Sequence, residues 1–510
     1  MRQTRRGMIR AALVVLGTLV AGSAVAGAPG ASPAPLPRSG VAVAEAATGP
    51  VAPARPVQRH SGCVGWMAVD LDSGEIVDEH AADVAFAPAS VAKLPTALYA
   101  LDRLGPEHRF ETRVATTGEV EGETLAGDLI LIGGGDPELD SDELLALVMQ
   151  PRDRGFRHVA GQFLVDGSAA PQLAAIDAGQ PEDAAYNPAL SGLNLNFNRV
   201  RLKWDARGKA RELRVSAKAD RLDPEVAGVR VTLASYPGAP VFSHSLEGRA
   251  EVWRMNQASL RGKGARWLPV RRPALYAGEV FQGLAGTYGI TLDPARAGET
   301  SEGVEVVARH RSRELGLMLK YMLRYSTNLT VELIGLAASR SGGAGPGDLA
   351  ASAAVMNAWA AAKAGFAPGD PGFRLANHSG LSEALRVSPR RLVGFLVAMA
   401  RRQSGPGQPV PDRELPAPIA GLLKSYNVAD KDVDLDYNRL QIAAKTGTMD
   451  YVRGLAGYIA TPSGRLAFAI FSNDLDRREP GVSRINRRWM ARAQLFERAL
   501  IRNWVLALEG

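Results

Sequence analysis

Three short groups of residues carry side chains that could do chemistry together. In chain order they are Ser90-Val91-Ala92-Lys93, Ser326-Thr327-Asn328 and Lys445-Thr446-Gly447-Thr448. A serine and a lysine three positions apart lie on one face of a helix, so the amine is within reach of the hydroxyl that it must deprotonate. The first group therefore predicts Ser90 as a nucleophile and Lys93 as its general base.

The surroundings expected for Lys93 suit that role. Burial and a second cation such as Lys445 favour the neutral amine, which is the form that accepts a proton. Ser90 is predicted to open a helix, whose unpaired backbone N–H groups would point toward developing negative charge. These N–H groups could contribute to an oxyanion hole.

The third group has the composition of a substrate-binding strand. Lys445 supplies a fixed positive charge for a substrate carboxylate, and Gly447 lets a substrate backbone lie close to the strand. Thr446 and Thr448 add hydroxyls that can form hydrogen bonds. The group thus predicts a site for a substrate that carries a carboxylate.

The second group has a competitor, because Ser425-Tyr426-Asn427 has the same spacing of serine and asparagine. That competitor lies in a predicted loop just before the Lys445 strand. Ser326 and Asn328 instead lead into the helical run from Leu329 to Leu336, and we prefer them for this reason. The ordered set of three groups is a far stronger signal than any group alone.

Composition limits the other functions. The chain has 510 residues, of which 46% are hydrophobic and 22% charged, which is enough to form a core. This length suggests about three domains. The single cysteine, Cys63, excludes an intramolecular disulfide and a zinc site built from several thiolates. The seven histidines are scattered without paired helical spacing, so we expect no metal and no cofactor.

The N-terminus has the order of a secretory signal peptide. Arginines at the start precede the apolar run Ala11 to Val20 and the small residues Ala24-Val25-Ala26, so we predict a signal peptide over 1–26. A retained membrane anchor is the alternative, but the apolar run is shorter than the ~20 residues that span a bilayer. Thr4 to Ile9 resembles a twin-arginine export signal in part. Residues 27–60, rich in proline and alanine, predict a flexible linker.

A signal peptide implies a periplasmic or otherwise exported protein. Its removal also weakens the argument that the protein binds nucleic acid. The net charge is +7, and loss of the four signal arginines leaves +3. Arg266, Arg271 and Arg272 surround only one aromatic residue, Trp267, which is too few for a base-stacking groove. We therefore expect no nucleic-acid partner and, after signal cleavage, no transmembrane segment.

Hydrophobic periodicity places the three groups on a mixed fold. Strands are predicted at Val64–Leu71, Glu75–Val77, Ile442–Gly447, Arg453–Ile459 and Leu466–Phe471, and helices at Ser90–Leu104, Leu315–Leu336, Ala350–Ala364 and Arg487–Leu506. Between them, residues 111–305 read as mainly strand and as one or two inserted domains. We expect a sheet whose first strands pair with its last, with the insert on one side.

Together the three groups resemble the signature of the penicillin-recognising serine enzymes, the β-lactamases and penicillin-binding proteins. The wide gap between the first two groups is similar to that of the low-molecular-mass class C penicillin-binding proteins, the D-alanyl-D-alanine carboxypeptidase and endopeptidase family. Further similar stretches are Gly134-Gly135-Asp136-Pro137, Asn194-Leu195-Asn196-Phe197-Asn198, Ser379-Gly380-Leu381-Ser382 and Leu455-Ala456-Gly457-Tyr458.

The resemblance implies an α/β fold. It would consist of a serine β-lactamase/transpeptidase-like domain, an antiparallel sheet flanked by helices, with mainly-β inserted domains. The catalytic domain would comprise 61–110 and 306–510, and the insert 111–305.

The resemblance also implies roles for individual residues. Ser90 would form the acyl-enzyme, Lys93 would be its base, Ser326 would relay a proton to the leaving group, and Asn328 would bind the substrate amide. Lys445 to Thr448 would bind the carboxylate. The backbone N–H groups of Ser90 and Thr448 would form the oxyanion hole. The substrate would be peptidoglycan stem peptides ending in D-Ala-D-Ala, with β-lactams as inhibitors and with or without endopeptidase activity.

Some positions depart from the family pattern. Thr327 stands where aspartate is common, and Asn377, His378 and Glu383 replace aspartate, glycine and arginine. We expect these changes to affect substrate preference and turnover more than the chemistry itself. His378 is expected to be a solvated loop residue, with a role in the site as the alternative. The rival functions are a β-lactamase or esterase on the same fold and a non-catalytic protein that binds cell-wall peptides.

Overall fold

The computed structural model describes residues 62–208, 211–235, 241–343, 345–403, 415–416, 419–428, 439–479 and 485–509. The predicted signal peptide (1–26) and linker (27–60) lie outside the described residues. Within those ranges, none of the helices combines the length and the apolar character needed to span a bilayer.

The described residues form α-helices and strands, which are numbered here in chain order. The helices are α1 (Lys93–Leu104), α2 (Ser141–Asp153), α3 (Pro273–Thr287), α4 (Leu315–Tyr325), α5 (Asn328–Arg340), α6 (Leu349–Ala364), α7 (Pro389–Gln403), α8 (Ile419–Leu422) and α9 (Arg487–Glu509). The strands are β1 (Cys63–Asp70), β2 (Ile76–His80), β3 (Glu111–Thr116), β4 (Val120–Glu121), β5 (Thr124–Leu125), β6 (Leu129–Ile132), β7 (His158–Val159), β8 (Phe163–Asp166), β9 (Arg199–Asp205), β10 (Glu212–Ser216), β11 (Val229–Ala234), β12 (Phe242–Glu247), β13 (Ala250–Asn256), β14 (Lys263–Pro269), β15 (Arg296–Ala297), β16 (Glu305–Arg311), β17 (Phe373–Arg374), β18 (Arg386–Val387), β19 (Lys424–Ser425), β20 (Gln441–Met449), β21 (Val452–Ala460) and β22 (Arg465–Asn473).

The largest sheet joins the two ends of the described chain. Its strand order is β19-β20-β21-β22-β1-β2, and every neighbouring pair is antiparallel. Strand β1 pairs with β22 from Cys63 opposite Asn473 to Asp70 opposite Leu466. The predicted pairing of the first strands with the last is therefore confirmed.

This sheet is covered on both faces, which is why β21 and β22 read as continuous apolar runs. Alternate residues of β22 point to opposite sides. Ala467, Ala469 and Phe471 join the core beneath α1 and α4–α7. Leu466, Phe468 and Ile470 pack against Ile501 and Trp504 of α9. The resulting order of layers, helices, sheet and helix, confirms the predicted α/β fold.

The insert has its own sheets and a core of its own. A five-stranded sheet has the order β15-β8-β6-β3-β16, and two three-stranded sheets have the orders β10-β9-β14 and β11-β13-β12. Helices α2 and α3 pack with them, which the prediction of a mainly-strand insert did not include. Because β16 pairs with β3, the inserted sheet extends to Arg311, past the predicted boundary at residue 305.

Two predicted helices differ from the structure at functional positions. Ser90 lies in a 3-10 turn, Ala89–Ala92, and the α-helix begins only at Lys93. The predicted helix from 315 to 336 is interrupted because Ser326 is left-handed, with φ 59°, and its N–H closes α4 on Met322 O at 2.7 Å. Periodicity continues across such a break, so hydrophobic spacing alone does not reveal it.

A buried ion pair joins α9 to the sheet. Arg453 on β21 and Glu497 on α9 are 6% and 1% exposed, and Arg453 Nε and Nη2 donate to the two carboxylate oxygens at 2.8 and 2.9 Å. Tyr426 Oη also donates to Glu497. Arg453 Nη1 reaches Thr448 Oγ1 on β20 at 3.1 Å, so the pair is continuous with the strand of the third sequence group.

We predict that Glu497→Ala lowers the free energy of unfolding by about 3–5 kcal/mol, because it leaves the Arg453 guanidinium buried without its counter-ion. Urea unfolding followed by tryptophan fluorescence measures the change. The matched control is Glu314→Ala, which breaks the exposed pair of Arg109 with Glu314. This control should cost about 1 kcal/mol or less, and equal losses in the two variants would contradict the account.

Candidate active site

The turn that carries Ser90 is held in a strained conformation. Ala89 has φ 45°, which a residue with a Cβ rarely adopts. The turn passes directly into α1, where Pro95 lies in the first turn and so removes no helical hydrogen bond. Ser90 is thereby presented at the start of α1, half-buried, with Lys93 one turn farther along.

The amine of Lys93 is enclosed by three polar atoms. Its Nζ lies 3.0 Å from Ser90 Oγ, 2.8 Å from Asn328 Oδ1 and 2.6 Å from the carbonyl oxygen of Ser379. The amide and carbonyl oxygens can only accept, so they engage two hydrogens of the amine. A neutral Lys93 would then turn its lone pair toward the Ser90 hydroxyl.

The electrostatics of this cavity favour that neutral form. Lys93 is fully buried, and burial is the main reason that its pKa is lowered well below the usual value of a lysine. The positive charge of Lys445 lowers this pKa further, whereas the carboxylate of Glu332 opposes the shift. The predicted combination of burial and a second cation is therefore present around Lys93.

Lys445 occupies the middle of β20 and is only 3% exposed. Its Nζ donates to the carbonyl oxygen of Thr446 at 2.7 Å. Burial, and then the charge of Arg453, lower the pKa of Lys445 to about 7. A substrate carboxylate beside this amine would restore its positive charge.

Ser326 and Asn328 reach the same cavity through the break between α4 and α5. The left-handed turn at Ser326 ends α4, and Asn328 is the first residue of α5. Asn328 therefore faces Lys93 with its side-chain oxygen while its Nδ2 donates to the carbonyl oxygen of Tyr186 at 2.9 Å. Ser425, the competing serine, is exposed on the edge strand β19.

Two glycines allow the catalytic segments to come together. A Cβ at Gly447 would lie 2.4 Å from Pro88 O, so the close neighbour of this glycine is the Ser90 turn. Gly380 has φ 82°, and a Cβ there would lie 1.8 Å from Ala89 O. Gly447 is therefore also required for the close packing of β20 on the Ser90 turn, in addition to its predicted role beside the substrate.

An open cleft of about 340 Å³ joins the three sequence groups. Its lining from those groups is Ser90, Ser326, Asn328, Thr446 and Thr448. Gly380 and Leu381, from a stretch that resembles the family, also line it. Further lining residues, which the sequence analysis did not identify, are Gln180, Tyr186, Met449, Asp450, Arg478 and Ile485. Met449 and Asp450 follow the third group directly, and that adjacency is the one signal that could have indicated them.

The insert contributes to this cleft and does not simply lie to one side. Gln180 Nε2 donates to Leu381 O at 3.2 Å, and Tyr186 Oη donates to Gln180 Oε1 at 3.3 Å. Together with the contact between Asn328 and Tyr186, these bonds fix an insert loop at the edge of the site. No local motif marks this loop, so its position follows only from the folded chain.

Two of the residues that depart from the family pattern, His378 and Glu383, have specific partners. The expectation of a solvated His378 is wrong, because this residue is fully buried and its Nε2 lies 2.8 Å from Ser352 Oγ. Burial lowers the pKa of His378 to about 3, so its ring is neutral. Glu383 pairs with Arg478 at 3.0 Å on the cleft rim.

Comparison with known proteins identifies relatives along most of the chain. A D-alanyl-D-alanine carboxypeptidase of Actinomadura sp. (strain R39) is 27% identical over 447 residues, which cover 80% of this chain and 77% of the relative. D-alanyl-D-alanine carboxypeptidase DacB of Haemophilus influenzae is 22% identical over 437 residues, covering 80% of this chain and 85% of the relative.

A solved structure shares the fold. The crystal structure of penicillin-binding protein 4 (DacB) from Haemophilus influenzae aligns with a TM-score of 0.70 at 20% identity, over 86% of this chain and 96% of that one. A second structure of the same protein, in complex with a β-lactam, aligns with a TM-score of 0.66 at 19% identity over the same shares. These alignments confirm the predicted transpeptidase-like fold.

The match to a family model agrees with both comparisons. The model of the D-Ala-D-Ala carboxypeptidase 3 (S13) family matches residues 58–493, a span that contains all three sequence groups and the insert. This match confirms the resemblance drawn from the motifs and, with it, a serine-type carboxypeptidase in place of the rival functions. The chain belongs to the D-Ala-D-Ala carboxypeptidase 3 (S13) family.

Proposed function

We propose that this protein is a serine-type D-Ala-D-Ala carboxypeptidase that cleaves peptidoglycan stem peptides through an acyl-enzyme on Ser90. The observation that carries this proposal is the enclosure of Lys93. A fully buried amine lies 3.0 Å from Ser90 Oγ, with two other acceptors for its hydrogens. A protein that only bound cell-wall peptides would have no need of an activated hydroxyl.

Acylation begins when Ser90 Oγ attacks the carbonyl carbon of the penultimate D-alanine. The hydroxyl proton passes to Lys93 Nζ as the new C–O bond forms. The backbone N–H groups of Ser90 and Thr448 stabilise the oxyanion. The C–N bond then breaks, a proton reaches the leaving nitrogen through Ser326 Oγ, and the terminal D-alanine departs as the amine.

Binding depends on both sides of the cleft. The terminal carboxylate of the substrate lies against Lys445, Thr446 and Thr448, where a buried cation and two hydroxyls meet it. Asn328 binds the substrate amide. This placement leaves the rest of the stem peptide to extend toward the cleft rim, where Arg478 and Glu383 form their ion pair.

Deacylation uses the same lysine. A water molecule attacks the ester carbon of the acyl-enzyme while Lys93 takes its proton, and Ser90 Oγ leaves and recovers a proton. The product is a stem peptide shorter by one D-alanine. A β-lactam would undergo the same acylation step, because the Ser90 hydroxyl would attack its ring carbonyl and open the ring. The β-lactam complex of the Haemophilus influenzae protein supports this inhibition.

We also propose export of the enzyme. Residues 1–26 would be a signal peptide and residues 27–60 a linker, placing the catalytic domain and its insert in the periplasm or outside the cell. The substrate supports this location because peptidoglycan lies outside the cytoplasmic membrane.

We predict that Lys93→Met lowers the release of D-alanine from a peptide ending in D-Ala-D-Ala by about 10²- to 10⁴-fold, the usual contribution of a general base. A coupled D-amino-acid oxidase assay measures the released D-alanine. The matched control is Lys320→Met, which alters an exposed lysine on α4 and should leave the rate unchanged. A Lys93→Met enzyme that is correctly folded and as fast as the parent would refute the proposed base.

We predict a bell-shaped dependence of kcat/KM on pH. The rate rises as Lys93 loses its proton, at a pH well below the usual lysine pKa, because only the neutral amine accepts the Ser90 proton. It falls above pH about 7, where free Lys445 loses the charge that binds the substrate carboxylate. Initial rates at subsaturating substrate concentration, measured between pH 4 and 10, define both limbs.

Lys445→Arg separates the two limbs. An arginine stays charged across the whole range, so the alkaline limb should disappear while the acid limb stays in place. The overall rate of this variant is expected to be lower because a guanidinium has a different shape. An alkaline limb that persists unchanged in Lys445→Arg would show that Lys445 is not the group that titrates there.

A further inference from the structure

A carboxylate that the three sequence groups do not include lies directly behind the reactive lysine. Glu332 is four residues after Asn328 on α5, so both side chains project from the same face of that helix. Glu332 is fully buried. A carboxylate without solvent requires strong hydrogen-bond donors, and those donors show what the residue does.

The donors belong to the segment that contacts Lys93. The backbone N–H of His378 donates to Glu332 Oε2 at 3.0 Å, and that of Ser379 donates to Oε1 at 2.9 Å. Both oxygens therefore act as acceptors, as they do in an ionised carboxylate. Burial raises the pKa of Glu332, and the hydrogen bonds from residues 378–379 and the charge of Lys93 oppose that rise and favour the ionised form. On the other side of the same residue, Ser379 O accepts from Lys93 Nζ at 2.6 Å. Ser379 thus bridges the carboxylate and the amine through its own backbone.

Three neighbours fix the rest of the segment without adding charge. Thr96 Oγ1 on α1 donates to His378 O at 3.1 Å. The His378 ring packs on Gly335, where a Cβ would lie 2.3 Å from it, and meets Ser352 through Nε2. The neutral His378 ring therefore packs the segment against α5 and α6 without adding charge. Among the contacts of this segment, Glu332 is the group that carries the negative charge.

We propose that Glu332 is a positioning residue for acylation: it anchors the backbone of residues 378–379 so that Ser379 O holds Lys93 Nζ toward Ser90, and its charge balances that of the lysine. The proposal rests on the proposed role of Lys93 as the base. Glu332 does not touch the substrate or the Ser90 hydroxyl in this arrangement, and acts through Lys93 alone.

The balance of charges around Lys93 predicts a specific change in the pH dependence of acylation. The charged groups that act on Lys93 are Glu332 from α5 and Lys445 from β20, with Arg453 behind Lys445. Burial and Lys445 lower the pKa of Lys93, and Glu332 raises it. Removal of the Glu332 charge should therefore lower this pKa further and move the acid limb of acylation to lower pH.

The test measures the rate of acylation by a chromogenic cephalosporin between pH 4 and 9. Glu332→Gln keeps the shape but places an NH₂ group against a backbone N–H. We expect acylation to slow about 10- to 100-fold at the plateau, as for loss of a buried hydrogen bond to a charged group. We also expect its acid limb to move to lower pH. Glu332→Asp, which retains the charge, should be slower than the parent but should keep the parent's acid limb.

The matched control is Ser352→Ala, which removes the partner of His378 and loosens the same segment without a change in charge. A shift of the acid limb in Glu332→Gln, and in neither other variant, supports the proposal. An unchanged rate and limb in Glu332→Gln would overturn it, as would an equal shift in Ser352→Ala. If Glu332→Gln does not fold, a Glu332→Asp enzyme as fast as the parent overturns it.

The same assay separates this proposal from the proposed function. Rates are expressed per folded protein, with the folded fraction measured by circular dichroism. If Lys93→Met acylates as fast as the parent, the proposed base itself fails. If Lys93→Met is slow but the Glu332 variants match the parent, the base remains and the positioning role alone is rejected.

Discussion

The burial of one lysine amine beside one serine hydroxyl is the constraint on which the rest of the site depends. An ammonium ion in an apolar interior is costly, and the neutral amine is the form that can act as a base. Lys93 therefore needs burial to be reactive, and it needs hydrogen-bond partners to be tolerated. Asn328 and Ser379 meet the second need with oxygens that only accept, and this arrangement leaves the lone pair of the amine for Ser90.

The fold brings those partners together from distant parts of the chain. Asn328 arrives because the left-handed turn at Ser326 redirects the chain between α4 and α5. β20 approaches the nucleophile turn because Gly447 lacks a side chain. The same strand is tied to α9 through Thr448, Arg453 and Glu497, so packing on the far face of the sheet helps to fix the strand proposed to bind substrate. Catalytic geometry and stability thus share one set of contacts.

The sequence predicts much of this arrangement, and the limits have physical causes. The three groups and the terminal helix follow from local spacing and periodicity. The pairing of the first strands with the last follows from the order of the elements, and the antiparallel sheet is implied by the family resemblance. The turn at Ser326 was missed because a single left-handed residue leaves hydrophobic periodicity intact. His378 was misjudged because burial depends on what packs over a loop, here α5 and α6. Gln180, Tyr186 and Glu332 were not found because their roles come from contacts between segments that are distant in sequence.

The most direct test of the central claim is the intact mass of the mature protein after incubation with penicillin. The account predicts one adduct of the full mass of penicillin on the parent and none on Ser90→Ala. Ser425→Ala, which alters the serine of the competing group on the exposed strand β19, should acquire the adduct as the parent does. An adduct that persists on Ser90→Ala, or no adduct on the folded parent, would contradict a buried Lys93 that activates Ser90.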